Sequence, residues 1–128
     1  MQHDYAVKLL DIYVGNAWQI FNAGFGCDRA EAAMFAVIDL LREFEELRPD
    51  FLQRVSLTLG KVDCWGTEPG AVPRELIELA IHELRWPEFL QLIEHRRLSF
   101  KHDRSHIALL EAFEANWPDR EYYQRYQG

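Results

Sequence analysis

A chain of 128 residues has room for one domain of residues 1–128, and its 48% apolar content supplies a core that excludes global disorder. Its formal charge, 14 − 21 = −7, is spread along the chain and repels nucleic acid and anionic lipid, both polyanions. It favours encounter with a basic protein surface, although plain solubility explains acidity equally well.

The first predicted helix runs from about Asp4 to Asn22, with Ala6, Leu9, Leu10, Tyr13, Ala17, Ile20 and Phe21 at helical spacing. Gly24 and Gly26 stop it. Asp28 followed by Glu31 reads as a capping box opening a second helix, whose stripe is Ala30, Ala33, Met34, Val37, Ile38, Leu41 and Phe44. Asp39, Glu43 and Glu46 fall at i, i+4, i+7 on another face, with no basic residue at that spacing to neutralise them. A third helix starts at Pro49 and carries Leu52, Val55, Leu59 and Val62. From Gly60 to Val72 the periodicity disappears in a glycine- and proline-rich loop, and Trp65 is expected to pin that loop to the core.

Pro73 opens the next helix, with Leu76, Ile77, Ala80, Ile81 and Leu84. Trp86-Pro87 breaks it, and a new helix runs to about Leu98. Asp103 or Ser105 caps another, carrying Ile107, Leu110 and Phe113, that ends at Trp117-Pro118. A last short helix holds Tyr122, Tyr123 and Tyr126.

The breaks resemble one another. Leu47-Arg48-Pro49-Asp50-Phe51-Leu52-Gln53 matches Leu84-Arg85-Trp86-Pro87-Glu88-Phe89-Leu90-Gln91 apart from Trp86, and Asn116-Trp117-Pro118-Asp119 echoes the second copy. The prolines lie 87 − 49 = 38 and 118 − 87 = 31 residues apart, in the range of stacked helical pairs. The fold class that follows is all-α, either stacked helical hairpins (HEAT-like) or an irregular helical bundle.

Chemistry-bearing motifs are scarce. His102 and His106 would chelate a metal if both lay on one helix, but a solvated or capping role suits them better, and neither a metal nor a cofactor is expected. Glu43 with Glu46, Glu75 with Glu78, and Glu111 with Glu114 each lie along one helix rather than across a cleft, so no catalytic pair is assigned. Arg96-Arg97 with Lys101 and Arg104 is the one basic cluster, a weak nucleic-acid signal against the net charge. Cys27 and Cys64 form neither a disulfide framework nor a CxxC pair, and the start of the chain lacks a basic n-region. No apolar run approaches the ~18 residues of a membrane span. A cytoplasmic protein with free thiols is expected, a single Cys27–Cys64 bridge being the alternative if the two come close in space.

Two surfaces are candidates for binding a protein. One is the acidic face Asp39, Glu43, Glu46. The other is the aromatic tail Trp117, Tyr122, Tyr123, Tyr126, whose alternative role is to cap the end of the helical stack.

The stretch from Pro73 to Tyr123, with His82-Glu83-Leu84-Arg85-Trp86-Pro87-Glu88-Phe89-Leu90 and Phe113-Glu114-Ala115-Asn116-Trp117-Pro118-Asp119-Arg120-Glu121-Tyr122-Tyr123, resembles small helical immunity proteins of bacterial polymorphic and type VI toxin systems, some of them built from HEAT-like pairs. That resemblance implies a protein that binds and blocks a cognate toxin domain without a cofactor, and the acidic charge favours a basic one. It assigns no individual binding residue and no oligomeric state. A general adaptor or regulatory subunit, and an enzyme of an unfamiliar helical family, are the alternatives.

Overall fold

The computed structural model describes residues 2–127. It is all-α, with no strand among those residues: α1 Gln2–Asn22, α2 Cys27–Glu43, α3 Arg48–Leu59, α4 Arg74–Leu84, α5 Glu88–Ser99 and α6 Ser105–Glu111. Three short 3-10 segments, Glu45–Leu47, Pro118–Tyr122 and Gln124–Tyr126, complete it.

Helix α1 buries Ala6, Leu10, Val14 and Ala17, one narrow stripe, and lies along α2. Helix α2 is central. Phe35 and Leu40 are buried as well as the expected Ala30, Met34, Val37, Ile38 and Leu41, because α4 and the C-terminal tail cover what α1 does not. The capping box expected at Asp28 does not form. Gly26 is the N-cap, without a side-chain bond. The Glu31 carboxylate instead accepts the backbone N–H groups of Gln124 and Arg125, at 2.7 and 2.9 Å, from the far end of the chain.

The prolines break the chain as the spacing predicts. Pro49 lies in the first turn of α3, Pro87 is the N-cap of α5, and Pro118 opens a 3-10 segment. The side-by-side helix pairs are α1 with α2, α2 with α4, α4 with α6, α3 with α5, and α5 with α6. Helices flanking Pro49, or flanking Pro87, are not among these pairs, so each proline makes an elbow rather than a hairpin. Helix α6 is shorter than expected and stops at Glu111, six residues before Trp117.

The two matching elbows pack on each other. Trp86, the residue that the first copy lacks, stacks on Phe89 at 5.4 Å and meets Phe51 edge-on at 6.3 Å. The Arg48 guanidinium lies 4.7 Å from the Trp86 ring and bonds Glu88 through two nitrogens, at 3.1 and 2.5 Å. The extra residue therefore fills the seam between the two copies.

Two arginines sit inside the protein. Arg96, 1% exposed, donates to the carbonyls of Leu59, Lys61 and Val62, to Ser105 Oγ and to Asp103 Oδ2. It satisfies acceptors at the C-terminus of α3 that no helix N–H reaches. This corrects the reading of Arg96 as part of a basic surface cluster. Arg74 donates to Glu78 at 3.0 Å, to Cys64 Sγ at 3.2 Å and to the Ser105 carbonyl at 2.9 Å. Together they tie the 60–73 loop to the start of α6.

Candidate functional site

Within the 60–73 loop, inward and outward residues alternate at 64–66. Cys64, Gly66 and Val72 are buried, and Trp65 between the first two points out, 59% exposed. Trp65 thus does not pin the loop to the core. Its amide N–H donates to Asp63 Oδ1 at 2.9 Å, and its carbonyl accepts the Arg74 N–H at 3.0 Å. The Arg74 guanidinium lies 5.3 Å from its ring. Arg74 and Cys64 occupy the space beneath the loop, which leaves the indole outside.

Three adjoining cavities surround this loop. One, of about 390 Å³, lies between the end of α1, the loop and the start of α4, and is walled by Trp18, Phe21, Phe25, Trp65 and Glu75. A second, of about 280 Å³, lies between α3 and the loop and includes Arg54, Leu57, Lys61 and Asp63. The third, of about 400 Å³, lies between the loop and the start of α6. Gly66 and Thr67 wall the first and second; Trp65 walls the first and third. Around them Phe25 is 54%, Leu57 64% and Val62 81% exposed. Large apolar groups left in water next to one another mark a recognition surface more often than scattered ones do.

Glu75 is the one ionisable group of the aromatic cavity. Burial raises its pKa, against the opposing pull of its own backbone N–H and of the Arg74 charge. Arg74 bonds the neighbouring Glu78 instead, and among the described residues Glu75 has no ion-pair partner. The indole N–H of Trp18 is buried without a hydrogen-bond partner.

The acidic face expected at Asp39, Glu43 and Glu46 is not a single helical face. Helix α2 ends at Glu43, Phe44 turns the backbone out of helix (φ −119°, ψ 87°), and Glu46 lies in the following 3-10 segment. Asp39 is not unneutralised either. Its carboxylate lies 4.0 Å from Arg42 and 3.6 Å from Arg125. Glu43 and Glu46 are exposed.

The aromatic tail mostly caps the bundle. Trp117 and Tyr123 are buried and stacked at 6.2 Å, and Tyr126 is half-buried. Phe35 of α2 meets Tyr123 and Tyr126 edge-on at 6.1 and 6.0 Å. Of the four expected anchors only Tyr122 is largely exposed.

His82 joins the tail to α4. Its Nδ1 donates to the Ala112 carbonyl at 2.7 Å, which leaves Nε2 to accept from Arg120 at 2.6 Å. The ring is therefore neutral, and it faces Trp117 at 4.8 Å. Burial lowers its pKa below the ordinary 6.5, helped by the Arg120 and Arg85 charges and opposed by the Ala112 bond and Glu83. An unfolded chain then binds this proton more readily, so His82 contributes stability above pH 6.5 that is lost as pH falls through the folded value. Glu78 has the opposite sign. Burial pushes it up to about 7 despite its bond to Arg74, so its contribution is present below pH 4.5 and lost as pH rises through 7. The two oppose each other below pH 6.5 and above pH 4.5. Glu78→Gln should therefore steepen the acid-side loss of stability, read as urea midpoints across that window. An unchanged slope would refute the assignment.

Other chemistry-bearing groups are held in inert forms. Burial raises the Cys27 thiol pKa and outweighs the opposing pull of the Tyr123 hydroxyl, which donates to its sulfur at 3.6 Å, so the thiol is protonated and weakly nucleophilic. Cys27 and Cys64 are not bonded to each other. His102 lies in the turn before α6 and His106 within it, so they do not form a helical chelating pair. Among the described residues no group of three His, Cys, Asp or Glu side chains is placed to hold a metal ion, and no helix is long and apolar enough to cross a membrane.

Comparison with family models, curated proteins and solved structures finds no match to this chain.

Proposed function

We propose that this chain is a protein-binding module whose recognition surface is the 60–73 loop and the cavities beside it. The observation that carries the reading is the juxtaposition of exposed Phe25, Leu57, Val62 and Trp65 on adjoining cavity walls. Tryptophan near the centre of such a surface is a characteristic binding hot spot. The charge of −7 steers a basic partner toward it. Size, acidity and helical fold, together with the tryptophan-proline junctions, favour an immunity protein that acts in the cytoplasm, where it blocks a cognate bacterial toxin. A general adaptor or regulatory subunit is the second reading, and it would use the same surface.

The test is co-expression with a toxin encoded beside its gene. Wild type should restore growth and bind the toxin in a pull-down. Trp65→Ala should weaken that binding by roughly 30-fold, the effect of a hot-spot truncation of ~2 kcal/mol. Unaltered binding by both Trp65→Ala and Val62→Asp would remove this surface from consideration.

A further inference from the structure

The aromatic cavity carries a specific demand on whatever enters it. It is lined by Trp18, Phe21, Phe25 and Trp65, with Asn22 and Thr67, and by Glu75 from the first turn of α4. Glu75 is its one ionisable group, so the one formal charge the cavity can carry is negative. The nearest candidate to neutralise it, Arg74, is committed to Glu78, Cys64 and the Ser105 carbonyl and is itself 6% exposed. It cannot swing into the cavity without abandoning all three partners. Arg29 lies 6.0 Å from the Phe25 ring and is exposed. Neither arginine lines the cavity. Aromatic faces attract cations through their quadrupoles, and the attraction grows when water is excluded. A long basic side chain supplies an apolar stem for the rings and a charged end for the carboxylate. A guanidinium adds a flat face for stacking and a fork of donors for one carboxylate.

Resting on the protein-binding reading above, we propose that this cavity receives a single arginine side chain of the partner, its stem held among Trp18, Phe21, Phe25 and Trp65 and its guanidinium bonded to Glu75. At about 390 Å³ the cavity has room for an arginine side chain. The open mouth, flanked by the exposed Phe25 and Trp65, suits a side chain presented on a protein surface.

The experiment titrates nitrogen-labelled full-length protein with N-acetyl-arginine amide, following the indole N–H resonances of its four tryptophans. N-acetyl-norleucine amide and N-acetyl-citrulline amide are the uncharged controls. The Trp65 resonance, assigned with Trp65→Phe, should shift with the arginine probe and not with the controls. Affinity should fall at least tenfold in Glu75→Gln. Because α4 is a core helix, Glu75→Gln is checked for native spectral dispersion. Phe25→Ala, at an exposed position, provides an independent variant and should weaken the same titration several-fold. Equal response to norleucine, or indifference to both Glu75→Gln and Phe25→Ala, would overturn the proposal. Partner binding that is lost in Trp65→Ala but kept in Glu75→Gln would overturn the arginine anchor and leave the recognition surface standing. Partner binding indifferent to Trp65→Ala, with the arginine titration intact, would do the reverse.

Discussion

Arg96→Met is expected to remove about 3–5 kcal/mol of stability, the usual effect of deleting one partner of a buried charge network. The side chain is nearly inaccessible and its donors reach five acceptors: the carbonyls of Leu59, Lys61 and Val62, Ser105 Oγ and Asp103 Oδ2. Methionine fills much of the volume but donates nothing, so buried carbonyls lose their partners. Asp103 loses the guanidinium that, after its bonds to Ser105, helps hold its pKa down at about 2. Lysine would not restore the wild-type state, because one ammonium cannot span acceptors on two separate segments. The adjacent Arg97 is exposed and, among the described residues, pairs only with Glu94 one turn earlier, so Arg97→Met should leave the urea midpoint unchanged. A typical domain has only ~5–15 kcal/mol in total, and Arg96→Met should therefore unfold near physiological temperature. Equilibrium urea denaturation measures it. A loss below about 1 kcal/mol would show that water replaces the guanidinium at little cost.

Gly66→Ala is the second large effect, expected at about 2–5 kcal/mol. Two independent reasons add. Gly66 has φ +74°, where an L side chain costs ~1–2 kcal/mol. A Cβ there would also stand 2.1 Å from the Val72 carbonyl oxygen and 2.8 Å from Pro73 Cα, both backbone, so the loop must move, at ~1–3 kcal/mol. Gly70 separates the two. It has φ +84° but open space around its Cβ direction, so Gly70→Ala should cost only ~1–2 kcal/mol. Thermal and urea unfolding of both variants decide the matter, and equal losses would refute the steric part. Gly66 walls two of the three cavities. Moving it also displaces Trp65, so Gly66→Ala should weaken partner binding beyond what its stability loss explains.

Helical class and most element positions were legible in the residues because they are local properties. Apolar periodicity sets which face of α1 and α4 is buried, and proline terminates a helix through its own ring and missing N–H. The match between the two proline junctions was legible as well, although not its consequence, that Trp86 would lie between Phe51 and Phe89.

The candidate site was not legible, for reasons that are all tertiary. Asp39 has Arg42 one turn on at i+3, but its closer partner, Arg125, reaches it from 86 positions away. Glu31 has the spacing of a capping box and instead holds the last turn of the chain. Arg96 and Arg97 are adjacent and chemically identical, and only the packing of α5 against α3 and α6 puts one inside and one in water. The hydrophobicity of Trp65 argued for burial, but Arg74 and Cys64 claimed the interior below the loop. Local propensity thus determines where helices begin, end and bury a stripe. Which of several similar side chains is charged inside, capped or left exposed depends on partners tens of residues distant, and that was decided only when the helices packed.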